Sequence, residues 1–395
     1  VQRPLQQYAV NPDGPESTFT LSLLSIGEAL QRYKIFWHPW LADRNNFAGL
    51  GFLARSKGKV VKGRPNQVIL ALMKIFFDDK YIFRFADGKQ LKEKFLPVFQ
   101  DITDCLNVIG LNAMKAEGAL WETLKRYSDG PWNEFFVDVP HENAIGNPGD
   151  ASQASRLGLT GPAQLTGALQ PYGQHEAIYL RPTPFDSARW GALYQEDGWG
   201  FDFDGSDAID GGEQLGPNAD DVANFTWASP KVMYSRFDFL QVIRTQAGNR
   251  VPQIDAKSIG KFGIRVLEKS TEFVQFVDSK LKALSPAQRV DGNTTAVNEA
   301  EMVTRRTEQL ANWFGYDEFW SGTLTTVGRV GADRKTGARI GGIIRNARDK
   351  REYYITGISQ SWSIGAPWVT TLQLSRGHRP ADFAAWWKKR KASVS

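Results

Sequence analysis

After Gly315 the chain reads as strand text almost to its end. The runs GTLTTVG, ARIGGIIR, YYITGISQSWSI and WVTTLQLSR are rich in β-branched and aromatic residues. Charged turns separate them, at Asp333 to Gly337 and at Ala347 to Lys350. Short runs punctuated in this way make sheet rather than helix. The last two are predicted to pair antiparallel, Tyr353 to Ile364 against Trp368 to Ser375, turning at Gly365-Ala366-Pro367. Period-two alternation then puts Tyr354, Ile358, Trp362 and Ile364, followed by Trp368, Leu372 and Leu374, on one face. Thr370 and Thr371 suit a β surface. The free edges of such a sheet have to be paired or protected.

At 395 residues the chain exceeds one ordinary core, which predicts two or three domains. Apolar residues make up 42% and charged residues 23%, as expected of a folded chain, and 24 Phe, 13 Trp and 11 Tyr favour β-rich architecture or large contact surfaces. No apolar run reaches the roughly 18 residues of a membrane span, and the first residues lack a signal-peptide apolar region, so a soluble chain without membrane insertion is expected. Cys105 is the single cysteine; it excludes an internal disulfide and reads as a small buried apolar residue. A net charge of +5 is too mild to indicate nucleic-acid binding. Trp386-Trp387-Lys388-Lys389-Arg390-Lys391 reads as a solvated cationic tail.

Along the chain, Thr18 to about Val61 alternates apolar runs with polar turns and predicts a small antiparallel unit. A helix is predicted after Pro65, carrying Val68, Leu72, Ile75 and Phe76. Another spans Met114 to Arg126, with Leu120, Leu124 and Tyr127 on one stripe, and stops at Ser128-Asp129-Gly130-Pro131. Strands are predicted over Trp132 to Val139 and Ala177 to Phe185, separated by a Gly/Pro-rich insertion. A second irregular stretch runs from Gln195 to Asn224, and strand text returns over Val232 to Ile243. A broken helical block covers Phe273 to Phe314. Its last helix sets Val303, Thr307, Leu310 and Phe314 opposite Arg305, Arg306, Glu308 and Gln309.

Several motifs invite chemistry. Gly49-Leu50-Gly51-Phe52-Leu53-Ala54 has dinucleotide-loop spacing, but no apolar strand precedes it, so a flexible turn is the preferred reading. Ser258-Ile259-Gly260-Lys261 with Lys335-Thr336-Gly337 resembles the S-x-x-K and K-T-G pair of penicillin-recognising serine enzymes. Gly260 and Gly263 weaken the helix that such a serine needs, which makes coincidence the preferred reading. Asp202, Asp204, Ser206, Asp210 and Glu213 fall at calcium-loop positions, yet Asp207 stands where the turn needs glycine, so a solvated acidic loop is expected. The four histidines, His38, His141, His175 and His378, show no ligand spacing. Gly357-Ile358-Ser359-Gln360-Ser361 misses a nucleophile elbow by its last residue. No carboxylate pair is singled out for glycoside hydrolysis.

The helix ending Asn312-Trp313-Phe314, the GTLTTVG strand, the basic turn and the closing YYITGISQSWSIGAPWVTTLQLSRG together resemble the final segment of phage tail baseplate hub proteins. That family includes late-control D proteins and the N-terminal hub part of secretion-system spike proteins. WNEFFVDV with IYLRPTPF is similar to the middle-domain strands of such hubs, and SIGKFGIR is similar to the entry of their helical insert. The two Gly/Pro-rich insertions and the basic tail depart from the pattern.

The resemblance implies an α+β, mainly β chain with two tail-tube-like antiparallel β-barrel domains, an α/β middle domain and a helical insert. Residues 1–64 would form the first barrel, 65–227 the middle domain, 228–380 the second barrel with its insert at about 256–317, and 381–395 the basic tail. Three copies would offer six barrels, a trimer with pseudo-sixfold symmetry. The implied function is structural rather than enzymatic: a baseplate hub of a phage or phage-like tail, adapting a sixfold tail tube to a threefold central spike and leaving a channel for DNA. Implied partners are a homotrimer of the chain itself, the tail tube or tube-initiator protein, the spike, the tape-measure protein and the baseplate wedge, with transient DNA passage. The implied location is the virion baseplate, after synthesis in the bacterial host cytoplasm. No catalytic residue, cofactor or metal is implied; Tyr353, Tyr354, Trp362, Trp368 and Arg376 are the candidate interface residues. Two alternatives differ in class. One is a cell-wall-degrading enzyme, a serine peptidase using Ser258 and Lys261 or a glycosidase; the other is a carbohydrate-binding tail-tip protein suggested by the tryptophans.

Overall fold

The C-terminal runs pair as sheet. In the computed structural model β17 (Arg351–Ser361) and β18 (Val369–His378) form a long antiparallel ladder. The structure describes residues 5–11, 14–20, 27–35, 61–62, 65–77, 88–99, 108–109, 118–138, 176–196, 198–205, 208–218, 222–230, 251–271, 303–328, 338–361 and 367–394. β15 (Trp320–Val327) flanks β18, and β16 (Ile343–Asn346) flanks β17, both antiparallel. Two further strands, β10 (Gly200–Phe203) and β11 (Ala208–Pro217), complete the sheet, in the order β10-β16-β17-β18-β15-β11. β10 runs parallel to β16, and β11 runs antiparallel to β15. The sheet is therefore mixed rather than purely antiparallel. Both edge strands come from the stretch expected to be irregular, and their pairings cross the boundary placed at 227/228. Glycine and aspartate are poor strand formers, so these segments are strands because β15 and β16 offer them a ladder.

The edge strands are consecutive in sequence, joined by residues 204–207, yet lie at opposite ends of the sheet order. The sheet must curl to allow this. Phe203 of one edge and Ala208 and Leu215 of the other pack on a single cluster with Leu324, Ile344, Tyr353, Ile355, Leu372 and Leu374. Among the described residues no ladder joins the two edges, so the expected second barrel is a curled open sheet.

Two register shifts along β17 and β18 redistribute the faces. One sets Arg376 and Gly377 opposite Tyr353; the other lies at Thr356. In consequence Tyr354 faces the larger core, whereas Ile358, Leu372 and Leu374 belong to the inner cluster. The single apolar face expected from unbroken alternation is thus divided. Trp362 and Ile364 lie outside the described residues.

Beneath this sheet sits a second one. β9 (Glu176–Pro182) is its centre, antiparallel to β8 (Asn133–Asp138) and parallel to β5 (Phe95–Phe99). A 3-10 turn, Leu91–Glu93, leads into β5. Helix α2 (Pro65–Phe77) supplies Leu72 and Phe76 to the core, as its spacing predicts. α3 (Leu120–Arg126) buries Leu120 and Leu124 and is followed by buried Tyr127. It begins later than predicted because β7 (Gly118–Ala119) is extended and pairs with β3 (Lys34–Ile35). α4 (Ser187–Gln195) is capped by the Asp186 side chain on Arg189 N–H at 2.8 Å. One core links α2, β5, α3, β9 and α4 to Trp313, Ile343 and Tyr354.

A third sheet has β12 (Phe225–Pro230) between β13 (Gln253–Ile254) and β14 (Val266–Thr271). α5 (Ala256–Phe262) joins the outer two, and α6, residues 303–314, packs behind them. Of the first expected domain, the structure describes the hairpin β1 (Leu5–Asn11) with β2 (Gly14–Thr20), helix α1 (Glu28–Arg32), β3, and β4 (Val61–Lys62), which pairs with β6 (Val108–Ile109). No closed barrel is present among the described residues. Residues 380–394 form α7 (Pro380–Val394), docked through Phe383 onto Tyr316 and Phe319, with Lys388 and Lys389 exposed as the tail reading expects. The chain is mixed α+β and mainly β. Among the described residues no helix is long and apolar enough to cross a membrane.

Candidate functional site

The C-terminal sheet is clamped to the sheet beneath it by a buried polar triad. Arg181 of β9 donates from Nε to Glu134 Oε2 of β8 at 2.7 Å. Its Nη2 reaches the Gly341 carbonyl and lies 3.3 Å from the Tyr354 hydroxyl. Tyr354 in turn donates to Glu134 Oε1. The Arg181 guanidinium also lies over the Trp199 ring, 4.2 Å from its centroid. Burial alone would push the Arg181 guanidinium down, but Glu134 and Tyr354 hold it above its ordinary range. Burial and then the Glu134 charge raise the Tyr354 hydroxyl, keeping it a donor.

Glu134 and Tyr354 also open onto a groove of about 680 Å³ between β8 and the C-terminal sheet, shared with Asn133, Thr183, Gln373 and Ser375. Glu134 is the one carboxylate on its described lining, and it is already engaged by Arg181 and Tyr354. Glycoside hydrolysis needs two carboxyl groups across the bond. This groove supplies one.

The predicted interface residues divide. Tyr353 and Tyr354 are buried within their own chain. Arg376 is buried too, donating from Nη1 to the Trp313 carbonyl at 2.6 Å and lying over the Phe314 ring at 4.4 Å. Trp368 is half-buried, and Trp362 is outside the described residues. The aromatic density of these strands thus serves the chain's own packing first.

Among the described residues, Ser258 and Lys261 take separate partners. α5 does form around Ser258, despite Gly260, because the Asp255 side chain caps it at Ser258 N–H (3.0 Å) and Gly263, at φ 75°, ends it. Ser258 is buried, with its Oγ 3.5 Å from Asn224 Nδ2. Lys261 Nζ instead pairs with Asp317 at 2.9 Å. Lys335-Thr336-Gly337 and Gly49 to Ala54 lie outside the described residues. Asp202 and Glu213 sit on opposite edge strands, Glu213 paired with Arg348 at 3.5 Å and Asp202 accepting from the Tyr194 hydroxyl at 2.5 Å. Ser206 and Asp207 of that stretch lie outside the described residues, and no group of three metal-ligating side chains occurs among the described ones. His378, the one histidine described, is buried beside Phe383 and Trp190, and burial pushes its pKa down to about 4. Its neutral ring donates from Nδ1 to the Arg376 carbonyl at 2.8 Å.

A second buried network was not foreseen from sequence. Arg306, placed by spacing on the solvent face of α6, is 1% exposed. Its Nη2 meets Asp129 Oδ2 at 2.5 Å and its Nη1 meets Thr271 Oγ1 at 2.7 Å, while Thr271 donates to Asp129 Oδ1 at 2.5 Å. The guanidinium lies over Trp132, whose Nε1 donates to the Arg306 carbonyl at 3.2 Å. The Ser128-Asp129-Gly130-Pro131 stop with Trp132 after it, α6 and β14 are tied at this one point. No protein-family model matches the chain, and a search of curated proteins finds no match.

Proposed function

We propose that the chain is the structural hub of a phage or phage-like tail baseplate, three copies forming a ring between a sixfold tail tube and a threefold spike. The observation that carries this reading is the curled C-terminal sheet, whose two edge strands share one core with no ladder between them among the described residues. Among the described residues no further strand pairs with the outer side of β10 or β11, and ring closure between subunits is one way to protect such edges. The order of helix α6, β15, β16, β17 and β18 is also the order of the hub segment that the sequence resembles. The DNA channel, the tube and spike partners and the tail type belong to the same proposal. Negative-stain micrographs of the purified protein test it: threefold rings are expected, and a chain that stays monomeric at micromolar concentration would overturn it.

A further inference from the structure

The β13-β12-β14 sheet buries one face and leaves one end of the other exposed. Ala228 and Thr271 are buried on its inner side, and Leu267 packs against the core. On the outer side the register sets Ile254, Phe225 and Val266 abreast across the three strands. Ile254 is 56% exposed, Val266 64%, and Ile264 just ahead of β14 is 70%. Trp227 and Glu268 form the next row of that face. Scattered exposed aliphatics are ordinary, but a contiguous row of them marks a contact surface. β14 is also the edge of its sheet.

The rim of this face is basic. Lys257 on α5 is exposed, Lys261 is exposed and paired with Asp317, and Arg265 enters β14 beside them. Elsewhere on the chain, the end of α4 and strand β10 carry exposed Glu196, Asp202 and Asp204 next to half-buried Phe201. The Asp202 side chain is 75% exposed. The two surfaces carry opposite exposed charges, Lys257 and Lys261 on one and Glu196, Asp202 and Asp204 on the other, with Glu268 on the first and Arg345, 4.0 Å from Asp202, on the second, and they differ in place. A contact between two different surfaces repeats head to tail and closes into a ring when the rotation fits. Charge complementarity adds register and speed to such docking.

We propose that the face formed by Phe225, Ile254, Ile264 and Val266 is where one copy docks on the next, against the acidic end of its neighbour that carries Glu196, Asp202 and Asp204. This inference rests on the ring reading above and names its contact. The test is the oligomeric state of the full chain, read by sedimentation and mass photometry at micromolar concentration. Wild type is expected to be trimeric, and Val266→Asp to associate at least tenfold more weakly with unchanged circular dichroism. Ile264→Ser, at the most exposed position, is the companion variant should Val266→Asp fold poorly. Lys257→Glu should also weaken assembly, more so at low salt, and Asp202→Lys in the same chain should restore it. Trimers that persist in both apolar variants overturn this interface and leave the ring reading standing. Lack of restoration in the double charge variant overturns the acidic surface as the docking partner. A monomeric wild type overturns both readings.

Discussion

The Tyr353 ring lies so close to the backbone of Gly377 that a Cβ at 377 would fall within it. The bulge that sets Arg376 and Gly377 opposite Tyr353 makes this approach, with Arg376 in the left-handed region at φ 58°. The closing Ser375-Arg376-Gly377 is thus a built corner: Gly377 admits the ring, and Arg376 turns its guanidinium back to the Trp313 carbonyl. Gly377→Ala should destabilise the chain by about 1–3 kcal/mol, since the ring must move off its site. Denaturant unfolding checks this; an unchanged midpoint would refute the packing account.

Arg306 and Asp129 form a buried ion pair, each side chain at most 2% exposed. Removing one partner strands a buried charge, so Arg306→Met should cost about 3–5 kcal/mol. Asp129→Asn combined with Arg306→Met should recover part of that loss. Thermal unfolding of both single variants and the double variant measures the coupling, and strict additivity would contradict it.

His378 gives stability a pH dependence whose sign is fixed. Its folded pKa of about 4 lies below the unfolded value of about 6.5, so the unfolded chain binds the extra proton between them. Stability from this group is full above pH 6.5 and falls as the pH drops toward 4, by on the order of 3 kcal/mol. Chemical denaturation from pH 7 to 4 should show that slope in wild type and a flatter one in His378→Gln.

Phe383 anchors α7 through ring contacts with Tyr316 at 5.4 Å, Phe319 at 5.7 Å and His378 at 4.3 Å. Phe383→Ala should release this helix while the main transition moves little. Hydrogen exchange across 380–394 should rise at least tenfold, and unaltered protection there would show that the anchor lies elsewhere.

What could be read from sequence follows the strength of local signals. The β15, β17 and β18 runs and the Pro65 helix were legible because apolar spacing and turn residues agree along each segment. β10 and β11 were not, since Gly200, Asp202, Gly211 and Gly212 take strand geometry only from neighbours distant in sequence. Alternation placed Tyr354 with Leu372 because bulges leave no periodic trace. Arg306 was misplaced for a related reason: a buried cation is specified by Asp129 and Thr271, which no helical wheel of α6 contains. The basic end of the chain looked unstructured by composition, yet Phe383 was the aromatic that could have signalled docking. The exposed row on β12, β13 and β14 needs three strands in register before it exists at all.

The short link between β10 and β11 sets a geometric ceiling. Five residue steps from Phe203 to Ala208 span at most about 17 Å, and neighbouring strands stand about 4.8 Å apart. At that end, the seam in the wall has room for no more than about two foreign strands, however far the rest of it gapes. A visitor wider than that would have to enter from the opposite rim, which gives the opening a direction.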